Sequence, residues 1–212
     1  MRRLPVYLVL DTSGSMFGEP IEAVKNGMHI LVNALRQDPY ALETAYLSVI
    51  TFDAEARQAV PLCELAAFNP PSIEVGTTTS LGAALSLLSQ RVDAEVQKGT
   101  AEVKGDWKPM VFIMTDGEPT DNWQTGLAEF KQRKFGVVVA CAAGAGANTD
   151  TLKQITDDVV TLDTADTASL QAFFKWVSSS ISTGSQKVEN SGQEVSSMNE
   201  LPPPPPELNP VV

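Results

Sequence analysis

The feature that most constrains this chain is an alternation of two periods. Five short apolar runs, Val6–Leu10, Leu47–Phe52, Met110–Met114, Val137–Cys141 and Val159–Leu162, are separated by segments whose apolar residues recur at three- and four-residue steps. Each run reads as a strand, and Val6–Leu10, rich in β-formers, looks buried on both faces, as in a parallel central strand. Between them, Ile21, Val24, Met28, Leu31, Val32 and Leu35 mark one amphipathic helix, and Leu81, Ala84, Leu85, Leu88 and Val92 another. Trp123, Leu127 and Phe130 mark a third, a short helix is expected near 151–156, and Leu170, Phe173, Phe174, Val177 and Ile181 mark the closing one. Gln58–Leu62 reads as a strand that folds back on Leu47–Phe52 around "DAEA". The expected fold is α/β and doubly wound: a mostly parallel central sheet with one antiparallel edge strand and helices on both faces.

Composition narrows the function. A formal net charge of −11 repels phosphate backbones and anionic lipid headgroups, which argues against nucleic acid and membrane surfaces as partners. No apolar run approaches the ~20 residues that span a bilayer. The start, "MRRLPVYLVLDTSG", resembles a secretory leader only superficially, because an aspartate stands where a small-residue cleavage site belongs. Cys63 and Cys141 lack metal-pair spacing and read as thiols of a reducing compartment, so a cytoplasmic location is expected. From about residue 183 the chain turns to Ser, Gly, Glu and Asn and then to the run Pro202–Pro206. Such a segment buries little apolar surface against its ordering entropy. The expectation is one domain, residues 1–182, and a low-complexity, proline-rich tail, residues 183–212, that serves as a spacer or recruits a polyproline-binding partner.

The chemistry concentrates at strand ends. The first run stops at Asp11-x-Ser13-x-Ser15, and "MVFIM" stops at Thr115-Asp116-Gly117. In open parallel sheets, ligands bind beyond the carboxyl ends of the strands. If the two strands are neighbours, Asp11 and Asp116 face each other, and two close carboxylates require a shared proton or a cation. With the hydroxyls of Ser13 and Ser15 they form a hard, all-oxygen set suited to Mg²⁺, with Mn²⁺ or Ca²⁺ as substitutes. A further ligand is expected from the threonines of "VGTTTSLGAAL". A capping turn explains Asp11-x-Ser13-x-Ser15 alone but not three motifs in register.

These motifs resemble the von Willebrand factor A domain with its metal-ion-dependent adhesion site. The resemblance covers about residues 4–182 and implies Asp11, Ser13, Ser15, a loop threonine and Asp116 as the metal set. The family's threonine stands three residues before the glycine of the following helix, here Gly82, which selects Thr79 with Thr78 as the fallback. The resemblance implies no catalytic residues, no enzymatic activity, and a partner protein whose Asp or Glu completes the ion's coordination. The runs "GEPIEAVKNG", "QDPYALETAYLSVITFD", "KGDWKP", "TDGEPTD" and "PPPPPE" further resemble the TerY-type proteins of bacterial tellurium-resistance clusters, which implies a stress-response setting.

Other readings are weaker. The alternative is a Mg²⁺-dependent phosphohydrolase or phosphotransferase using the strand-end aspartates; phosphatases of the haloacid-dehalogenase type, which place aspartates at these strand ends, need a second aspartate two residues after the first, and Ser13 stands there. Ser15 has no nucleophile elbow, and the sole histidine, His29, falls on the polar helix face. "AAGAGANTD" lacks the third glycine of a dinucleotide loop. Trp123 is expected in the core, Met16 and Phe17 at the site's rim or stapling the helix start, and Glu19, Glu118 and Asp121 as a solvated negative field.

Overall fold

A computed structural model describes residues 2–211; Met1 and Val212, the ends of the expected domain and tail, lie outside them. The strands are β1 (Leu4–Asp11), β2 (Ala45–Phe52), β3 (Ala56–Glu64), β4 (Met110–Thr115), β5 (Val137–Ala143), β6 (Val159–Leu162) and β7 (Leu208–Pro210). The helices are α1 (Glu19–Leu35), α2 (Pro39–Thr44), α3 (Leu81–Glu95), α4 (Trp123–Lys131), α5 (Thr149–Ile155) and α6 (Thr167–Ser191). The strands form one sheet in the order β3-β2-β1-β4-β5-β6-β7. The five inner strands are parallel, and β3 and β7 are antiparallel edges.

Strand alternation sorts the core into two layers. Val6, Leu8 and Leu10 join α1 and α6 on one face, whereas Tyr7 and Val9 join α3, α4 and α5 on the other. Every residue of β1 and β4 is buried, which is why both read as continuous apolar runs. The chain leaves β1 toward β2 and later starts again from β4 on β1's other side. The switch point therefore lies between β1 and β4, with Leu10 paired to Met114 and both strands ending together.

Local chemistry sets the helix starts. Gly18 caps α1 at φ 90° and ψ −125°, backbone that an L side chain rarely adopts, and Pro20 fits the first turn with its fixed φ. The Asp38 carboxylate accepts from the backbone N–H of Tyr40 at 2.9 Å and of Ala41 at 3.4 Å, opening α2 with Pro39. Alpha-2 is absent from the periodicity reading because six residues are too few to display a period.

The segment after residue 182 departs from expectation in two ways. First, α6 continues to Ser191 and ends at Gly192 in the left-handed region. Second, the chain then returns to the body. Val195, Leu201 and Leu208 are buried, and the Met198 backbone N–H donates to Asp158 Oδ2 at 3.0 Å. Beta-7 pairs with β6, giving the sheet a second antiparallel edge where one was expected. The physical reason is Trp176. Its ring is buried, edge-on to Phe112, and its indole N–H donates to the Pro202 carbonyl at 2.8 Å. A buried indole N–H needs an acceptor, and the proline run presents one. The start of that run is thus engaged within the molecule, and Pro203 and Pro206 remain exposed.

Truncation after Ser182 removes four buried apolar side chains, Val188, Val195, Leu201 and Leu208, and an edge strand. Net of the ordering entropy recovered, the expected loss is about 3–5 kcal/mol in urea unfolding. A loss below about 1 kcal/mol, typical of surface changes, would show that the segment does not pack in solution.

Candidate metal centre

Asp11 is the last residue of β1 and is fully buried. Its two oxygens are separately held: Oδ1 accepts the Ser13 backbone N–H at 2.8 Å, and Oδ2 accepts the Thr115 hydroxyl at 2.5 Å. Thr115 closes β4, so the contact follows from the parallel register that ends both strands at one level. A short 3₁₀ turn, Gly14–Met16, then exposes Ser15 and buries Met16. The hydroxyls of Ser13 and Ser15 lie 3.1 Å apart, and Ser15 donates to Asp116 Oδ1 at 2.7 Å. A continuous polar chain therefore runs from Asp11 through the two serines to Asp116.

The loops around this chain are stitched together by backbone bonds. The turn after β1 is tied to the 76–77 segment by Gly76 N–H to the Thr12 carbonyl at 2.8 Å and Gly14 N–H to the Thr77 carbonyl at 3.2 Å. Thr79 is bound reciprocally to the loop after β4: its N–H donates to Thr120 Oγ1 at 3.0 Å, and Thr120 N–H donates to the Thr79 carbonyl at 2.9 Å. Thr79 is buried and Thr78 exposed, and a β-carbon placed on Gly117 would lie 3.6 Å from Thr79 Oγ1. The Thr79 hydroxyl thus faces the residue beside Asp116. On the third side, Gly146 approaches so closely that a β-carbon there would come within 2.9 Å of the Asp116 carbonyl oxygen. The glycines of "AAGAGANTD" serve a tight turn and this approach.

The structure brings Asp11, Ser13, Ser15 and Asp116 into direct contact and sets Thr79 beside them. It also assigns residues that the sequence reading gave other parts. Asp121 is no free negative charge: its carboxylate accepts from the N–H groups of Gly82 at 3.1 Å and Ala83 at 2.9 Å, capping α3. Glu19 accepts from the Thr167 N–H at 3.0 Å and hydroxyl at 2.8 Å at the start of α6, and Glu118 accepts from Asn148 Nδ2 at 3.0 Å. The sequence shows Thr115 only as part of the Thr115-Asp116-Gly117 stop, with no role of its own, and gives no sign of Thr120. Their partners lie far away in sequence, so only the strand order exposes them. Phe17 is at the rim and fully outward, Trp123 packs half-buried against the α3–α4 layer, and His29 is exposed.

Electrostatics define what this site lacks. Burial pushes the Asp11 carboxyl above its ordinary range; bonds from Ser13 and Thr115 oppose this, and the Asp116 charge adds to it. Burial likewise raises Asp116, opposed by the hydroxyls of Ser15 and Ser13. Among the described residues, no cationic side chain is among the groups acting on either carboxylate. Among the described residues no three His, Cys, Asp or Glu side chains group together, so an ion here would depend on hydroxyl oxygens as well as the two carboxylates. That donor set is hard and all-oxygen, and it fits Mg²⁺ or a similar cation better than a thiophilic one.

The von Willebrand factor type A domain matches residues 6–176. A Synechocystis protein, the uncharacterized sll0103, is 34% identical over 126 residues, and the matched region covers 55% of this chain and 26% of that protein. Proximal thread matrix protein 1 of the mussel byssus, in a structure with a zinc-occupied MIDAS motif, superposes with a TM-score of 0.61 at 20% identity, over 84% of this chain and 48% of that one. The pilus adhesin SpaC of Lactobacillus rhamnosus GG superposes with a TM-score of 0.64 at 16% identity, over 86% of this chain and 30% of that one. The chain therefore spans about a quarter of its curated relative and under half of the byssus protein. The structural likenesses speak to the fold, and with the match to residues 6–176 the chain belongs to the von Willebrand factor type A domain family.

Proposed function

We propose that the chain is a metal-dependent protein–protein interaction module. In this reading Asp11, Ser13, Ser15, Thr79 and Asp116 hold one Mg²⁺, directly or through water, and an Asp or Glu of a partner protein completes its coordination. The observation that carries the reading is the pair of carboxylates, Asp11 buried and Asp116 half-buried, both raised, linked through two serine hydroxyls and unattended by any cationic side chain among the described residues. When bound, the ion supplies positive charge that neutralises this pair and leaves an attraction for an incoming carboxylate. The chain's own groups do the rest. Thr115 and the Ser13 N–H fix the Asp11 oxygens, and Thr120 and Asp121 fix the Thr79 loop, so the donors are ordered before the ion arrives. For an acidic chain, an ion is what makes capture of an acidic partner favourable.

The zinc-occupied motif of the byssus protein and the adhesin role of SpaC support this by analogy. The sequence runs resembling TerY-type proteins support a bacterial tellurium-resistance or stress-response setting, and two free thiols, one fully buried, support a cytoplasmic location. No helix among the described residues is long and apolar enough to cross a membrane. We assign no enzymatic activity: the place of a phosphohydrolase's second acid is Ser13, whose N–H and hydroxyl are engaged with Asp11 and Ser15. A polyproline-binding partner at Pro202–Pro206 would first have to compete with the Trp176 bond.

Metal linkage tests the site. At free Mg²⁺ about a hundredfold above Kd, the gain is about 2.7 kcal/mol, or roughly 5–10 °C in Tm. Asp11→Ala should abolish that gain while leaving a folded protein; an unchanged response would remove Asp11 from the site. Pull-down in Mg²⁺ against chelator, with Thr79→Ala alongside, tests partner capture. Thr79→Ala is expected to weaken the complex more than it weakens metal binding. A partner that stays bound in chelator and to Asp11→Ala contradicts the reading.

The pH dependence has a definite sign. A carboxyl raised in the folded state contributes stability that is complete below its unfolded value, about 3.9 for Asp, and is lost as pH rises through the raised folded value. In chelator the site therefore destabilises the fold as pH climbs from about 4 toward neutrality, and Mg²⁺ cancels that loss. The Mg²⁺-induced rise in Tm should grow with pH over this window. Asp116→Asn should raise the chelator Tm at neutral pH, since one of the two charges is gone. A Mg²⁺ effect independent of pH, measured by differential scanning calorimetry, would oppose this.

A further inference from the structure

Beside the metal centre lies a groove that the two carboxylates do not explain. It has a volume of about 690 Å³ and runs from Gly14 past Phe17 and Ile21 to Ile73 and Val75. Gly14 stands between Ser13 and Ser15, so the groove opens onto the edge of the site. Its floor is apolar, formed by buried Ile21 and Ile73 and half-buried Val75. Its lip is Phe17, 80% exposed and the most exposed large apolar side chain among the described residues.

The exposure is built into the backbone. Met16 points inward and is fully buried, and Gly18 then takes φ 90° and ψ −125°, reversing the chain into α1. A β-carbon on Gly18 would meet nothing within 4 Å, so the glycine is needed for the turn and not for space. That turn leaves Phe17 projecting next to the groove. An outward aromatic over an apolar floor is the anatomy of an interaction anchor. The charge on the rim is also defined. Lys25 is paired with Glu22 at 2.7 Å, whereas Glu74, exposed on the opposite wall, has no hydrogen-bond or ion-pair partner among the described residues.

We propose that the partner is a protein segment that carries its carboxylate close to a large apolar side chain and to a lysine or arginine. This rests on the reading that a partner carboxylate completes the ion. The carboxylate goes to the ion, the apolar side chain enters the groove against Phe17, and the cationic side chain faces Glu74. Ser15 and Phe17 are two residues apart, so their Cα atoms are separated by at most about 7 Å. An extended partner covers that span in about two residues, which places its apolar side chain one or two positions from the acid.

The full chain is used to select binders from a displayed library of random peptides, in Mg²⁺ and in chelator, with Phe17→Ala and Glu74→Lys run in parallel. Both side chains are exposed, so both variants should keep wild-type Tm and Mg²⁺ affinity. Expected are Mg²⁺-dependent peptides that share an Asp or Glu, a large apolar residue within two positions, and a Lys or Arg. Synthetic copies of them should bind Phe17→Ala about tenfold more weakly or worse, and Glu74→Lys should lose the preference for the basic residue. Mg²⁺-dependent peptides with an acid but no apolar neighbour, bound equally by Phe17→Ala, overturn the groove and leave the adhesion reading standing. Binders indifferent to chelator and to Asp11→Ala overturn the adhesion reading itself. The absence of any Mg²⁺-dependent binder counts against both.

Discussion

Two carboxylates at the ends of neighbouring parallel strands, one buried and one half-buried, with no cationic side chain beside them among the described residues, are the constraint around which the rest of the molecule is arranged. Asp11 and Asp116 stand at the switch point because β1 and β4 are adjacent and end at one level. Placed there, they cost stability unless a proton or a cation is shared between them. The surrounding sequence makes sense as the means of keeping them there. Ser13 and Thr115 each hold one oxygen of Asp11, and Ser15 holds Asp116. The sheet supplies rigidity: the strands that deliver both aspartates are buried along their whole length.

The loops that carry the remaining groups are coupled to one another rather than to solvent. Thr79 and Thr120 exchange backbone and side-chain bonds, and Asp121, one residue on, caps the helix that Thr79 precedes. The Thr79 loop is thereby tied to the β4–α4 loop, which carries Asp116. The opposite wall, residues 73–77, is tied to the turn after β1 through Thr12 and Gly14. Between this wall and the start of α1 the surface changes from hydroxyl and carboxylate to apolar, with Phe17 at the border. One end of the sheet thus offers a charged point and an apolar slot side by side.

Much of this was legible in the sequence, for identifiable reasons. Buried parallel strands and amphipathic helices have periods, and β1, β4, α1 and α3 were recognisable from them. Asp11-x-Ser13-x-Ser15 and Thr115-Asp116-Gly117 were recognisable because polar residues stop apolar runs abruptly. What escaped has long-range causes. Thr115 matters because of strand order, and Asp121 because α3 needs a cap that its own Ser80 does not provide through its side chain. The packing of the segment after residue 182 is not legible in the sequence because composition counts apolar residues without seeing the surface they meet. Val195, Leu201 and Leu208 are too widely spaced to show a period, yet each has a place on a body whose buried Trp176 needs a carbonyl. The sequence admits two roles for Phe17, and its 80% exposure selects the rim.

The most direct test of the site is a crystal structure of the full chain grown with Mn²⁺, with anomalous diffraction recorded at the manganese edge. One peak is expected per chain, within coordination distance of the Ser13 and Ser15 hydroxyl oxygens and between Asp11 and Asp116. It should vanish in Asp11→Ala crystals. No peak at this position, or a single peak elsewhere on the acidic surface that persists in Asp11→Ala, would contradict the assignment of these residues to a metal centre.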